Sequence, residues 1–305
     1  MGFIPQANKR GIFFSKVASY GNGIDLDGSD FLEYLSEDEK TRLIFCYLEG
    51  VNDGRRFLQA VQKCTLKKPV IILKGGMTKG GKEAVSSHTA SLAGSEEIWK
   101  GIFKQNNIVQ VESFDEAVEQ IIALQHVAVP KGRAVGIVAR GGGPGIVATD
   151  HCERMGLFVP ALNPETILEL EKIADAPAGS SLRNPVELGL GRYGISENYE
   201  KGLKIVASDP HINLILTQVN PHQYTQYGIG PKQIDEIANV MIRASKALPK
   251  PMVVVMPLGD SIETMEPVLK AQEKCIKAGL AIFSDLRVAI KAISNLINYY
   301  EHARQ

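Results

Sequence analysis

The most chemically suggestive residues lie at 86 to 94, SSHTASLAG, where His88 is set among hydroxyl and small side chains. At neutral pH one imidazole nitrogen keeps its lone pair, and in a polar segment beside phosphate-binding backbone it can act as a nucleophile toward phosphorus. Ser86, Ser87, Thr89 and Ser91 supply hydroxyls, and Gly75, Gly76, Gly80 and Gly81 are expected to make the preceding segment a mobile loop. A helix is expected to begin near Ser95. On these grounds alone a histidine satisfied within the structure remains an open alternative. His126, His151, His211, His222 and His302 lie on expected helices or ordinary loops and receive no role.

A histidine that attacks through one nitrogen needs the other held as N–H by an acceptor. The best placed carboxylate is Glu49, at the end of the apolar run RLIFCYLEG. In a parallel sheet the carboxyl ends of adjacent strands face one crevice, which the segment after PVIILK also enters. Glu49 also reads as a solvated residue opening a turn. A third stretch, VARGGGPGIVATDHCERMG at 138 to 156, has a strand, glycines and then a helix, with Pro144 expected at the first helical position. Such a turn aims backbone N–H groups and the positive end of a helix dipole at one point, which suits a phosphate. The glycines serve equally for a tight turn and close packing. Gly143, Gly145 and Ala148 also satisfy a loose GxGxxA, but no acidic residue ends LFVPAL to hold a ribose, which argues against a nicotinamide-dependent dehydrogenase. The loop SSLRNPVELGLG, with Asn184, Pro185 and Glu187, reads as a rigid turn, and Tyr224 and Tyr227 of PHQYTQYGIGP are expected to face solvent.

The elements that must carry these residues alternate. RLIFCYL, PVIIL, IVQV, VGIVAR and MVVVM are short apolar runs separated by longer helical patterns, the grammar of βαβ units with strands covered on both faces. Pro130 and Gly132 interrupt the pattern, so domains are expected over 1–129 and 130–305. KKPVIIL leading to NNIVQVESFDEAVEQ resembles PKPMVVVM leading to AGLAIFSDLRVAIKA, an internal repeat. Pro69 to Phe114 is 45 positions against 35 from Pro251 to Leu286, and the surplus falls around His88. A repeat that keeps its core and lengthens one connection has usually placed function there. KRGIFFSKV at 9 to 17 lines up with RMGLFVPAL at 154 to 162, but a strand, glycine loop and helix precede only the second. The first copy is therefore expected to lack its opening βα unit, as a fragment or as a subunit completed by something else.

Composition limits the function classes. The chain has 305 residues, 44% hydrophobic and 22% charged, with 34 basic and 34 acidic side chains, which points away from nucleic acid. No apolar run is long enough to span a membrane and no secretory signal opens the chain. Cys46, Cys64, Cys152 and Cys275 show no metal-ligand spacing, so a reducing cytoplasm and no metal site are expected.

Taken together, GNGIDLDGSDFLEYL, YLEGVNDGRRFLQA, KKPVIILKGG, SSHTASLAGS, GGGPGI and NPVEL resemble the NDP-forming acyl-CoA synthetases, relatives of succinyl-CoA synthetase. The resemblance implies two flavodoxin-like α/β domains with parallel sheets. It also implies an acid-thiol ligase reaction that interconverts acyl-CoA, NDP and phosphate with acid, CoA and NTP through an acyl phosphate and a phosphohistidine. The phosphohistidine falls on His88 and its supporting glutamate on Glu49. The family points two helix N-termini at the phosphohistidine, and the GGGPGI turn, at Gly142, Gly143 and Gly145, matches one of them. Ala90 stands where the family motif has glycine. The family's CoA-binding domain and ATP-grasp domain find no match in the sequence. CoA and Mg-nucleotide (ATP or ADP) are thus expected on other domains or subunits, with turnover not expected of this chain alone. The alternative is a catalytically silent module of the same family that binds an anion or a partner.

Overall fold

The structure, a computed structural model, describes residues 2–89, 95–139, 142–174, 181–188, 197–220, 231–258 and 261–303. The chain forms two compact units, one of Met1–Asn8, Ile12–Ile121 and Asn298–Gln305, the other of Lys9–Gly11 and Ile122–Ile297.

The first unit runs α1 (Phe3–Lys9), α2 (Gly28–Glu37), β1 (Ile44–Leu48), α3 (Gly54–Thr65), β2 (Val70–Lys74), α4 (Lys79–Thr89), α5 (Glu96–Gln105), β3 (Val109–Val111) and α6 (Phe114–His126), whose last residues fall in the second unit. Its strands pair in parallel in the order β1-β2-β3. All five residues of β2 are buried, as expected of a strand with helices on both faces. Phe57 of α3 and Trp99 and Phe103 of α5 close on it, with ring centroids 5.6 Å apart for both Phe57–Trp99 and Trp99–Phe103.

Helix α2 starts where its sequence dictates. Asp27 Oδ1 accepts from the amides of Ser29 and Asp30, and the Asp30 carboxylate accepts from the Asp27 amide at 2.8 Å, a reciprocal capping box. Asp27→Ala removes an acceptor for the orphan amides, and a loss of about 1 kcal/mol is expected in urea unfolding.

The second unit runs β4 (Val135–Ala139), α7 (Gly142–Arg154), α8 (Pro164–Ile173), β5 (Val186–Glu187), α9 (Glu197–Ser208), β6 (Leu214–Gln218), α10 (Pro231–Ala247), β7 (Met252–Val255), α11 (Ile262–Lys277), β8 (Ile282–Phe283) and α12 (Leu286–His302), the last of which ends in the first unit. The sheet order is β5-β4-β6-β7-β8, all parallel, the doubly wound flavodoxin order. The first unit's strands match the last three of this sheet. Among the described residues β4 and β5 have no counterpart in the first unit, and Ile12–Val17 joins no strand. The expected α/β architecture of two flavodoxin-like parallel sheets is therefore observed.

One expectation is corrected. Among the described residues the surplus before and at His88 is helical and not a mobile loop: where the second unit has the single helix α11, the first has two, α4 and α5. The left-handed backbone of Gly76, φ +72°, makes the turn. The Thr78 hydroxyl then accepts from the Gly81 amide at 3.1 Å, so Gly80 and Gly81 fall in the first turn of α4.

Candidate functional site

Glu49 follows the last residue of β1 and is half-buried. Tyr47 lies two residues earlier on an extended strand and so on the same side. Its hydroxyl donates to Glu49 Oε1 at 3.0 Å. The Gly75 amide donates to the Leu48 carbonyl at 2.8 Å, which brings the start of the β2–α4 connection beside Glu49. A Cβ on Gly75 would stand 3.2 Å from the Tyr47 hydroxyl and 3.7 Å from Glu49 Cγ, so glycine permits this approach.

Beneath this pair lies a lysine that sequence reasoning did not single out. Lys74 ends the otherwise apolar β2 and is only 5% exposed. Its ammonium donates to the Glu49 main-chain carbonyl at 2.7 Å and to the Gly75 carbonyl, and stands 5.1 Å from the centroid of the Trp99 ring. Burial brings its pKa down from 10.5 to about 8; nearby Glu49 opposes the shift and Lys82 adds to it. The unfolded chain thus holds this proton more tightly than the folded one. The resulting penalty is fully present below about pH 8 and is relieved as pH rises toward 10.5. Between about pH 7 and about pH 9.5 the wild type should therefore gain stability relative to Lys74→Met, read from urea midpoints.

The backbone of His88 is the penultimate residue of α4, and its side chain lies outside the described structure, as do residues 90–94. Helix α5 opens as expected at Ser95, whose hydroxyl accepts from the Ile98 amide at 3.2 Å. Glu96 and Glu97 in its first turn complement the helix dipole.

In the second unit α7 begins at Gly142, so Pro144 is its third residue and not its first. The missing proline N–H costs nothing in a first turn, where that donor has no partner within the helix. The glycines are not equivalent. A Cβ on buried Gly145 would stand 2.9 Å from Pro185 Cβ, whereas Gly143 has nothing within 4 Å. A Cβ on Gly142 would stand 3.7 Å from Glu187 Oε2, a carboxylate read in the sequence only as part of a rigid turn. Close packing therefore explains Gly145 and leaves Gly142 and Gly143 exposed. The turn lies at the carboxyl end of β4, where the strand order reverses direction. Asn184, read as part of a loop, is a buckle: its Oδ1 accepts from the Ile137 amide at 2.9 Å, and its Nδ2 donates to the Val135 and Pro160 carbonyls at 2.8 and 2.9 Å.

The four cysteines are free thiols, and burial pushes each well above the usual range, so none is poised as a thiolate. Among the described residues no three His, Cys, Asp or Glu side chains gather as a metal site, and no helix is long and apolar enough to cross a membrane. His222 and both loop tyrosines lie outside the described residues.

Residues 1–124 match the family model described as a succinyl-CoA ligase like flavodoxin domain. Over 293 residues the chain is 34% identical to an ADP-forming acetate–CoA ligase I of Archaeoglobus fulgidus, covering 96% of this chain and 39% of that protein. It is also 34% identical to the alpha subunit of an ADP-forming acetate–CoA ligase I of Pyrococcus furiosus, covering 94% of this chain and 59% of the subunit. A solved structure from Ca. Korarchaeum cryptofilum, a dinucleotide forming acetyl-coenzyme A synthetase 1 in complex with phosphate and ADP, superposes with a TM-score of 0.80 at 27% identity, covering 99% of this chain and 62% of that one. The chain thus spans less than two thirds of the length of these relatives.

Proposed function

Because this chain belongs to the NDP-forming (ADP-forming) acyl-CoA synthetase family, we propose that it is the component through which phosphate passes, on His88, between an acyl group and a nucleotide. Phosphate attacks the acyl-CoA thioester and the CoA thiolate leaves, giving an acyl phosphate. A ring nitrogen of His88 then attacks the phosphorus; the N–P bond forms as the P–O bond to the acyl oxygen breaks, and the carboxylate leaves with the electron pair. The terminal phosphate oxygen of a nucleoside diphosphate attacks next, and the N–P electron pair returns to the imidazole. Glu49 accepts the N–H of the other ring nitrogen and so selects the attacking tautomer. The amides of the Gly142, Gly143 and Gly145 turn serve as a phosphate-binding element. An ATP-grasp domain or subunit and a CoA-binding domain complete the reaction and hold CoA and Mg-nucleotide, with residues 1–129 and 130–305 as the two domains of this component.

The observation that supports this reading best is the placement of Glu49. It stands at the carboxyl end of β1 beside the connection into α4, the helix whose backbone carries His88, with its carboxylate engaged by Tyr47. The test is to incubate the full chain with an ATP-grasp partner and ATP labelled in the terminal phosphate. Acid-labile, base-stable label on the chain is expected. A chain that stays unlabelled while the partner binds ATP would leave the silent anion- or partner-binding module as the better account.

A further inference from the structure

We propose that Lys74 is a positioning residue for Glu49, its buried ammonium holding the carboxylate in place. The inference rests on the reading above, in which Glu49 fixes the His88 tautomer.

A buried lysine requires an explanation, because an ammonium taken out of water is costly unless its donors and charge are satisfied. Lys74 meets that cost at one place. Its donors go to the carbonyls of Glu49 and Gly75, the residues that leave β1 and β2 for the crevice, and the Trp99 ring flanks the charge. Pinning the Glu49 carbonyl fixes the point from which its side chain departs, while Tyr47 fixes Oε1. The adjacent positive charge also attracts the Glu49 carboxylate and so draws that side chain toward it.

The internal repeat shows that the fold itself does not ask for a lysine here. Ile44 takes its partner from the Pro69 carbonyl as Ile215 does from that of Pro251, and Val70 pairs with Ile44 as Met252 pairs with Ile215. In that register Lys74 corresponds to Met256, which is wholly buried and apolar, and Glu49 corresponds to Asn220. A methionine therefore satisfies this corner of the architecture. The cation occurs in the copy that carries the carboxylate.

The test uses the full chain labelled with nitrogen-15 in its six histidines, the His88 signals being assigned by their loss in His88→Gln. Ring-nitrogen chemical shifts give the ratio of the two His88 tautomers. Glu49→Gln should lower the wild-type excess of one tautomer about tenfold, the scale of a hydrogen bond to a charged acceptor. Lys74→Met, a side chain that the second unit accommodates at this position, should lower it comparably. Lys74→Gln keeps donors for the carbonyls and drops only the charge, and it should do the same. Because Lys74 acts through Glu49, Lys74→Met should add nothing in the Glu49→Gln background. A wild-type ratio in Lys74→Met or Lys74→Gln, with Glu49→Gln altered, overturns the role of Lys74 alone, as does full additivity in the double variant. An unaltered ratio in Glu49→Gln overturns the Glu49 reading itself, and the role of Lys74 with it.

Discussion

His88→Ala is expected to abolish acid-labile phosphate on this chain, with labelling falling at least about a thousandfold once the nucleophile is gone. Alanine is the best helix former, so the end of α4 should tolerate it, and the loss should be chemical and not structural. A phosphorus–nitrogen bond survives alkali and breaks in acid, the reverse of serine or threonine esters, so brief acid treatment separates the carriers. The measurement is retained label after electrophoresis at alkaline pH, with circular dichroism confirming that the variant is folded. Label that persists in His88→Ala would place the carrier on another histidine and sink the assignment.

Trp99→Ala is expected to cost about 3 to 5 kcal/mol, the range for removing a large buried aromatic side chain. Trp99 is 4% exposed, meets Phe57 edge-on and Phe103 at a tilt, and flanks the Lys74 ammonium. Its removal leaves a cavity between α5 and β2 and strips the buried cation of its neighbour. Urea unfolding followed by circular dichroism reads the cost directly. A loss under about 1 kcal/mol would mean that α5 is anchored elsewhere than on this ring.

Much of the fold was legible because burial leaves periodic signatures. The apolar runs PVIIL and MVVVM, the helix start at Ser95, and the repeat itself follow from local pattern, and the parallel order follows from βα alternation. The segment before His88 was misread because Gly80 and Gly81 are poor helix residues by propensity, whereas the Gly76 turn and the Thr78 cap start the helix in spite of them. Around Glu49 the sequence showed only the carboxylate. Tyr47 at i−2 and a charge ending an apolar strand were the available signals, but what makes them partners is the register between β1 and β2, which no local pattern specifies. The contacts of Gly145 with Pro185 and of Asn184 with β4 are of the same kind, long-range approaches between segments that are each unremarkable alone.

The chain has one tryptophan, and it stands beside the buried Lys74 ammonium that donates to the Glu49 carbonyl. Indole emission responds to a charge held near the ring, so the emission of Trp99 is expected to shift as Lys74 gains or loses its proton. With excitation selective for indole, light can therefore report on the surroundings of this site with no partner, substrate or turnover present, and can follow the loosening of the first unit alone, because the second has tyrosines but no tryptophan.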